Sequence, residues 1–486
     1  MYLHYLISKR KLSTAETRWG RQEKAKDAKA GKVRSFHVLL SYFCYNLNPK
    51  IIKIQNMLSQ LSYLFMLMIS LSSSCSGTHT TSGNASAKDP GIRTGAERLE
   101  LYLPKLKGKN VAVFANQTSV VGQSHLVDTL QKSGVNIKVI FGPEHGFRGT
   151  ADAGEKVEST IDKATGIPVV SLYGKKRKPS KEDLEGIDVM LFDIQDVGVR
   201  FYTYISSLQE YMETAIENNI PLLVLDRPNP NGFYVDGPVL DMKYKSFVGM
   251  QPVPVVYGMT IGEYAKMLLE EGWLSKEAMQ FYTQNVLAAI YPPGAKYFSL
   301  EIIPCENYDH TSTYELPVKP SPNLPDIQSI YWYPSTCFFE GTVLSEGRGT
   351  EKPFQIFGHP SLPKNLYSFT PRSMEGAKEP KLKNQLCYGW NVSGSKEEVL
   401  KKTDGKLQLK YLLEAYRLFP DKENFFIKPK SGDMDASFFN KLAGNGILWK
   451  QIRDGKSEAE IRKSWEPALS EFKTIRKKYL LYKDFE

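Results

Sequence analysis

The sequence predicts an α/β protein in which a parallel sheet, covered on both faces by helices, is followed by a smaller α+β region. Three observations lead there. Between about Gly91 and Glu271 short aliphatic runs alternate with helical patterns. Those runs are near-continuous in apolar residues, as strands buried on both faces must be. Most of them also stop abruptly at clusters of Asn, Glu, His, Asp or Arg, and a parallel sheet delivers all such exits to one edge.

Taken in order, Asn110-Val-Ala-Val-Phe-Ala115 is the first expected strand and exits into Asn116-Gln117-Thr118. Ile137 to Phe141 is the second, breaking at Gly142-Pro143 into Glu144, His145 and Arg148. Pro168 to Tyr173 is a weaker candidate. Asp188 to Phe192 runs into Asp193-Ile-Gln-Asp196, and Pro221 to Leu225 into Asp226-Arg-Pro-Asn229. Between the last two, Ile205, Leu208, Met212, Ala215 and Ile216 fall at helical spacing among mostly polar neighbours, which predicts an amphipathic crossover helix. The order of the strands cannot be read from these patterns. No Gly-x-Gly-x-x-Gly follows the first strand and no Gly-Lys-Ser/Thr phosphate loop occurs, so a nucleotide site is disfavoured.

Around Gly272 the alternation gives way to aromatic, Pro-rich text. Lys319-Pro-Ser-Pro-Asn-Leu-Pro325 predicts a rigid extended connection. Glu340, Glu346 and Arg348 then follow on glycine-punctuated turns, a second cluster of chemical character. The helical pattern at 407–419 and a charged terminal helix from Ser457 read as structural.

Composition bounds the function. The chain has 486 residues, enough for two or three domains, and a net charge of +10. Residues 1–56 alone hold 12 Lys and Arg against 3 Asp and Glu, so the remainder is close to neutral and no nucleic-acid partner is called for. Met57 to Cys75 is an apolar run closed by small residues. It is short for a membrane span and reads as a signal-peptide core. Leu71-Ser-Ser-Ser-Cys75 resembles a lipobox whose leucine stands one place too far from the cysteine, making Cys75 the expected lipidation site. Translation is then expected to begin at Met57, with 1–56 an upstream segment outside the protein proper. Residues 76–92 read as a flexible tether. Domains are expected at 93–271 and 272–486. Cys305, Cys337 and Cys387 give neither a disulfide framework nor a zinc site, and no second histidine stands at ligand spacing from His145, so no metal or cofactor is expected.

Asp, Asn and Arg beside aromatic rings suit a sugar, whose hydroxyls take hydrogen bonds while its C–H face stacks on a ring. The segment 193–204 brings Asp193, Asp196, Arg200, Tyr202 and Tyr204 together, and Asp226, Arg227 and Asn229 follow the next strand. The competing reading of the latter, a simple turn, is open at this point.

Long stretches of this text resemble a bacterial family of exo-β-N-acetylmuramidases, glycoside hydrolases formerly catalogued as a domain of unknown function. The matching segments are Phe141-Gly-Pro-Glu-His-Gly-Phe-Arg-Gly149, Ala153-Gly-Glu-Lys156, 192–204, Leu225-Asp-Arg-Pro-Asn-Pro-Asn-Gly232 and Val235-Asp-Gly-Pro-Val-Leu240. Pro320-Ser-Pro-Asn-Leu-Pro325, Phe339-Glu-Gly-Thr342 and Gly347-Arg-Gly-Thr350 complete them, over roughly 93–486. The resemblance implies a Rossmann-like N-terminal domain, a smaller α+β, barrel-like C-terminal domain and an active cleft between them. It also implies release of terminal N-acetylmuramic acid from peptidoglycan fragments at the bacterial cell envelope, where a lipid anchor at Cys75 would hold the protein to a membrane. A broader β-N-acetylhexosaminidase and a non-catalytic glycan-binding lipoprotein are the alternatives.

Glu144 matches the family's principal catalytic glutamate and is the expected general acid. Glu340 is the first choice for a partner carboxylate, with Glu346, Asp193 and Asp196 behind it, although the substrate's own acetamido group could take that place. Arg200 and Arg348 are candidates for gripping the lactyl carboxylate, because a guanidinium fork matches a carboxylate. His145 is expected to orient Glu144. Arg148, Tyr202, Asp226, Arg227 and Asn229 complete the expected substrate-binding set.

Overall fold

The computed structural model describes residues 91–144, 146–148, 159–288 and 295–486. The upstream segment, the signal core with Cys75, most of the tether, His145 and the 153–156 motif lie outside these. All the described residues belong to one compact unit.

The main sheet has seven strands: β1 (Asn110–Ala115), β4 (Asn136–Gly142), β5 (Thr160–Ile161), β6 (Pro168–Ser171), β7 (Val189–Asp193), β8 (Leu222–Leu225) and β9 (Leu300–Ile303). A small hairpin, β2 (Val120–Val121) with β3 (Ser124–His125), follows β1. The sheet order is β5-β6-β4-β1-β7-β8-β9, parallel throughout except for β5 on one edge. Its six parallel strands thus follow the doubly wound plan, which reverses direction between β1 and β7 and opens a crevice beyond their carboxyl ends. β9 comes from beyond Gly272, so the sheet draws on chain that lies after the change in composition.

Burial on both faces explains the apolar runs. Ala112 and Phe114 of β1 point into one core with Phe141, Phe192 and helix α3 (Tyr204–Glu217). Val111, Val113 and Ala115 point into the other, against α1 (Leu99–Leu106) and α2 (Leu126–Lys132). The polar face expected on the crossover helix is itself covered: Gln209 and Glu213 of α3 are buried, Gln209 donates to Glu213, and Lys178 closes over Glu213. α4 (Ile261–Glu270) packs beside it behind a Thr260–Glu263 capping box.

The C-terminal part holds α5 (Ile327–Thr336), a three-stranded antiparallel sheet and a set of helices ending in α6 (Glu458–Arg476). The sheet is β10 (Ile356–His359), β11 (Tyr367–Phe369) and β12 (Cys387–Asn391), in the order β10-β12-β11. The α+β character stands; among the described residues the sheet has three strands, and Ser345 adds an antiparallel bridge to Gly358 on the outer side of β10. Phe338, Phe339, Phe357 and Phe439 of this part are buried in the same core as one face of the main sheet.

Candidate active site

A hollow open to solvent lies where the strand exits meet the C-terminal part. Glu144 and Arg348 line it together, with Phe201, Tyr202, Tyr204, Tyr333 and Phe354 giving aromatic wall. Ser321, Asn323 and Leu324 of the Pro-rich connection form another side.

Glu144 owes its place to the exit of β4. A turn from Pro143 to Gly146, closed by a 3.0 Å hydrogen bond to the Pro143 carbonyl, follows the last paired residue of the strand. The turn leaves Glu144 half-buried. The Tyr173 hydroxyl donates to its Oε1 at 2.9 Å.

The Pro-rich connection is strapped down by one carbonyl. Pro320 O accepts from the Tyr202 hydroxyl at 2.8 Å, the Tyr204 hydroxyl at 3.3 Å and Gln117 Nε2 at 3.0 Å. Asn116, at the exit of β1, donates in turn to the Tyr204 hydroxyl at 2.8 Å. These ties join the exit of β1, the loop after β7 and the strap into one wall, and they point the tyrosine hydroxyls away from donation to a ligand. Asn323 donates to Gly376 O at 2.8 Å and also lines a second hollow, so the two cavities adjoin.

Arg348 reaches the wall from the second lobe. Its Nη2 lies 2.7 Å from Glu340 and its Nε 3.4 Å from Glu346, while the guanidinium stands 5.2 Å from the centre of the Phe354 ring. Lys381 meets the other oxygen of Glu346 at 2.7 Å. Burial pushes the Glu346 carboxyl up, but Lys381 and Arg348 beside it hold it below its usual range. Two carboxylates therefore neutralise two cations, and Arg348 is fixed in place.

The remaining expected site residues are placed elsewhere. Arg200 is fully buried, and its guanidinium donates to the carbonyls of Pro238, Val253 and Leu442 at 2.7–2.8 Å. Burial pulls it down to about 9 from the usual arginine range. It cannot reach a sugar carboxylate and serves to pin the two lobes together. Asp193 and Arg227 form a buried bidentate pair at 2.6 and 2.8 Å. Asp226 accepts from Tyr482, Thr260 and the Gly262 amide, an anchor for the start of α4. Asn229 donates to Met259 O and packs against Gly198, whose positive φ of 75° no larger residue would adopt there without striking the amide. Asp196 is buried under the Tyr257 hydroxyl and the Gly198 amide. Arg148 forms a bidentate pair with Asp162 away from the hollow. Glu340 and Glu346 do not line the hollow but anchor Arg348. Among the described residues Glu144 is the one carboxylate on its wall, and no group of three potential ligands converges on a metal.

Sequence reasoning passed over Tyr173, Ser321, Asn323, Tyr333 and Phe354. The strap was legible as a rigid element, whereas Tyr173 follows a strand too short to stand out.

A carboxylate, a guanidinium and aromatic walls thus meet above the strand exits of a doubly wound sheet, where enzymes of this fold class hold their ligands. Residues 111–328 match the N-terminal and 331–482 the C-terminal family model of exo-β-N-acetylmuramidase NamZ, and the chain belongs to this family. It is 37% identical to the peptidoglycan β-N-acetylmuramidase NamZ of Bacillus subtilis (strain 168), over 82% of this chain and 94% of that protein. Two crystal structures of DUF1343-family proteins from Bacteroides fragilis NCTC 9343 share the fold. One is 44% identical with a TM-score of 0.70, the other 28% identical with 0.62, each covering 81% of this chain and 99% of its own.

Proposed function

We propose that the protein is an exo-acting glycosidase that removes terminal β-linked N-acetylmuramic acid from the non-reducing ends of peptidoglycan fragments. The observation that carries this reading is the convergence of Glu144 and Arg348, from opposite lobes, on one aromatic-walled hollow. Glu144 protonates the glycosidic oxygen as the bond breaks. Arg348 meets the lactyl carboxylate with the N–H groups that its two anchors leave. The adjoining hollow at Asn323 gives room for the next unit. Among the described residues no second carboxylate lines the wall, and the substrate's own acetamido group could take that place.

The family to which the chain belongs and the named activity of the Bacillus relative support this assignment. The lipid anchor at Cys75 and a place in the cell envelope belong to the same reading, and mass spectrometry of the mature amino terminus tests them. Incubating the purified protein with a defined muramyl disaccharide tests the activity. Free N-acetylmuramic acid is the expected product; a disaccharide bound but unchanged contradicts it.

A further inference from the structure

Glu144 follows β4 and Tyr173 follows β6, and the ladder between these strands sets where the two side chains meet. The last paired residues are Gly142 and Ser171. The ladder runs one bond further, from the Leu172 amide to the Gly142 carbonyl at 2.8 Å. Glu144 and Tyr173 each stand two places beyond the paired residues, Glu144 on the turn that ends β4 and Tyr173 on the bend that follows β6, and their side chains meet there at 2.9 Å. The contact is therefore built by backbone register.

We propose that Tyr173 is the positioning residue for Glu144, its hydroxyl setting the rotation of the carboxyl at the wall of the hollow. This rests on the reading of Glu144 as the reacting carboxyl. A phenol can donate only while it keeps its proton. Burial and the neighbouring Glu144 push Tyr173 up from the usual tyrosine range, with Arg177 opposing, so it remains a donor at neutral pH. Among the described residues, Tyr202, Tyr204, Tyr333 and Arg348 also stand on the wall, with Glu340 behind Arg348. The hydroxyls of Tyr202 and Tyr204 are turned to Pro320 O. Among these tyrosines, Tyr173 is the one whose hydroxyl donates to Glu144.

The test is Tyr173→Phe, assayed on a chromogenic N-acetylmuraminide. The ring is kept, so the melting temperature should stay within a few degrees. The expected result is a kcat lower by roughly tenfold or more with KM little changed. Placing 3-fluorotyrosine at position 173, which keeps both the ring and the donor, should restore kcat to within about threefold of the parent. A Phe variant whose kcat stays within about twofold of the parent overturns the proposal, as does one in which KM moves and kcat does not, because a packing role would not separate the two. The two readings fail separately. Turnover by Glu144→Gln sinks the assignment of Glu144, whereas an inactive Glu144→Gln beside a Tyr173→Phe variant of parental kcat sinks only the role of Tyr173.

Discussion

Glu144 and Arg348 stand 204 positions apart in the chain and line the same hollow. One is presented by a strand exit of the doubly wound sheet, the other by a glycine-punctuated turn locked between Glu340 and Glu346. Their meeting ties the fold to the proposed chemistry, because neither lobe alone supplies both charges.

Arg348 should set specificity. Arg348→Ala is expected to narrow the ratio of kcat/KM for an N-acetylmuraminide over the matching N-acetylglucosaminide, which lacks the lactyl group. A loss of roughly tenfold or more in that ratio fits a charge-assisted pair of about 1.5–3 kcal/mol. An unchanged ratio removes Arg348 from recognition.

Arg200 should behave in the opposite way. Arg200→Met keeps most of the volume but leaves three buried carbonyls without their donors. At about 1–3 kcal/mol for each unsatisfied group, the melting temperature should fall by several degrees or more. The muraminide-to-glucosaminide ratio of the folded fraction should stay as in the parent. Altered specificity with unchanged stability would return Arg200 to the substrate.

These two arginines show what the sequence could and could not convey. Both lie among ionisable and aromatic residues at turns, and both looked able to grip a carboxylate. Strand positions were legible because burial on both faces forces near-continuous apolar runs, and β1 has the predicted boundaries. Polar residues at the exits were legible as a rim. Which of them face solvent was not, because a buried polar network and an open site need the same residue types. What separates them is pairing over distance: Asp193 with Arg227, 34 positions on, and Arg200 with Leu442, 242 positions on. Tyr173 stayed hidden for a related reason, since only the β4–β6 register brings it to Glu144.

Asp196 gives the structure a pH signature. Burial pushes its carboxyl up to about 7, against the opposing effect of the Tyr257 hydroxyl. The folded state then holds a proton that the unfolded chain releases near 3.8. Its contribution to stability is fully present below that value and is lost as pH rises through about 7. Asp196→Asn removes this dependence. Across pH 4 to 8, the melting temperature of the variant should therefore gain on that of the parent as pH increases. A constant difference would show that Asp196 is ionised in the fold throughout.

Turnover of a chromogenic N-acetylmuraminide by Glu144→Gln tests the central claim most directly. Gln keeps the shape of the side chain and can still accept from Tyr173, but it has no proton to give. The account predicts a loss of roughly 10²–10⁴-fold in kcat with the melting temperature unchanged. Turnover close to that of the parent would contradict it.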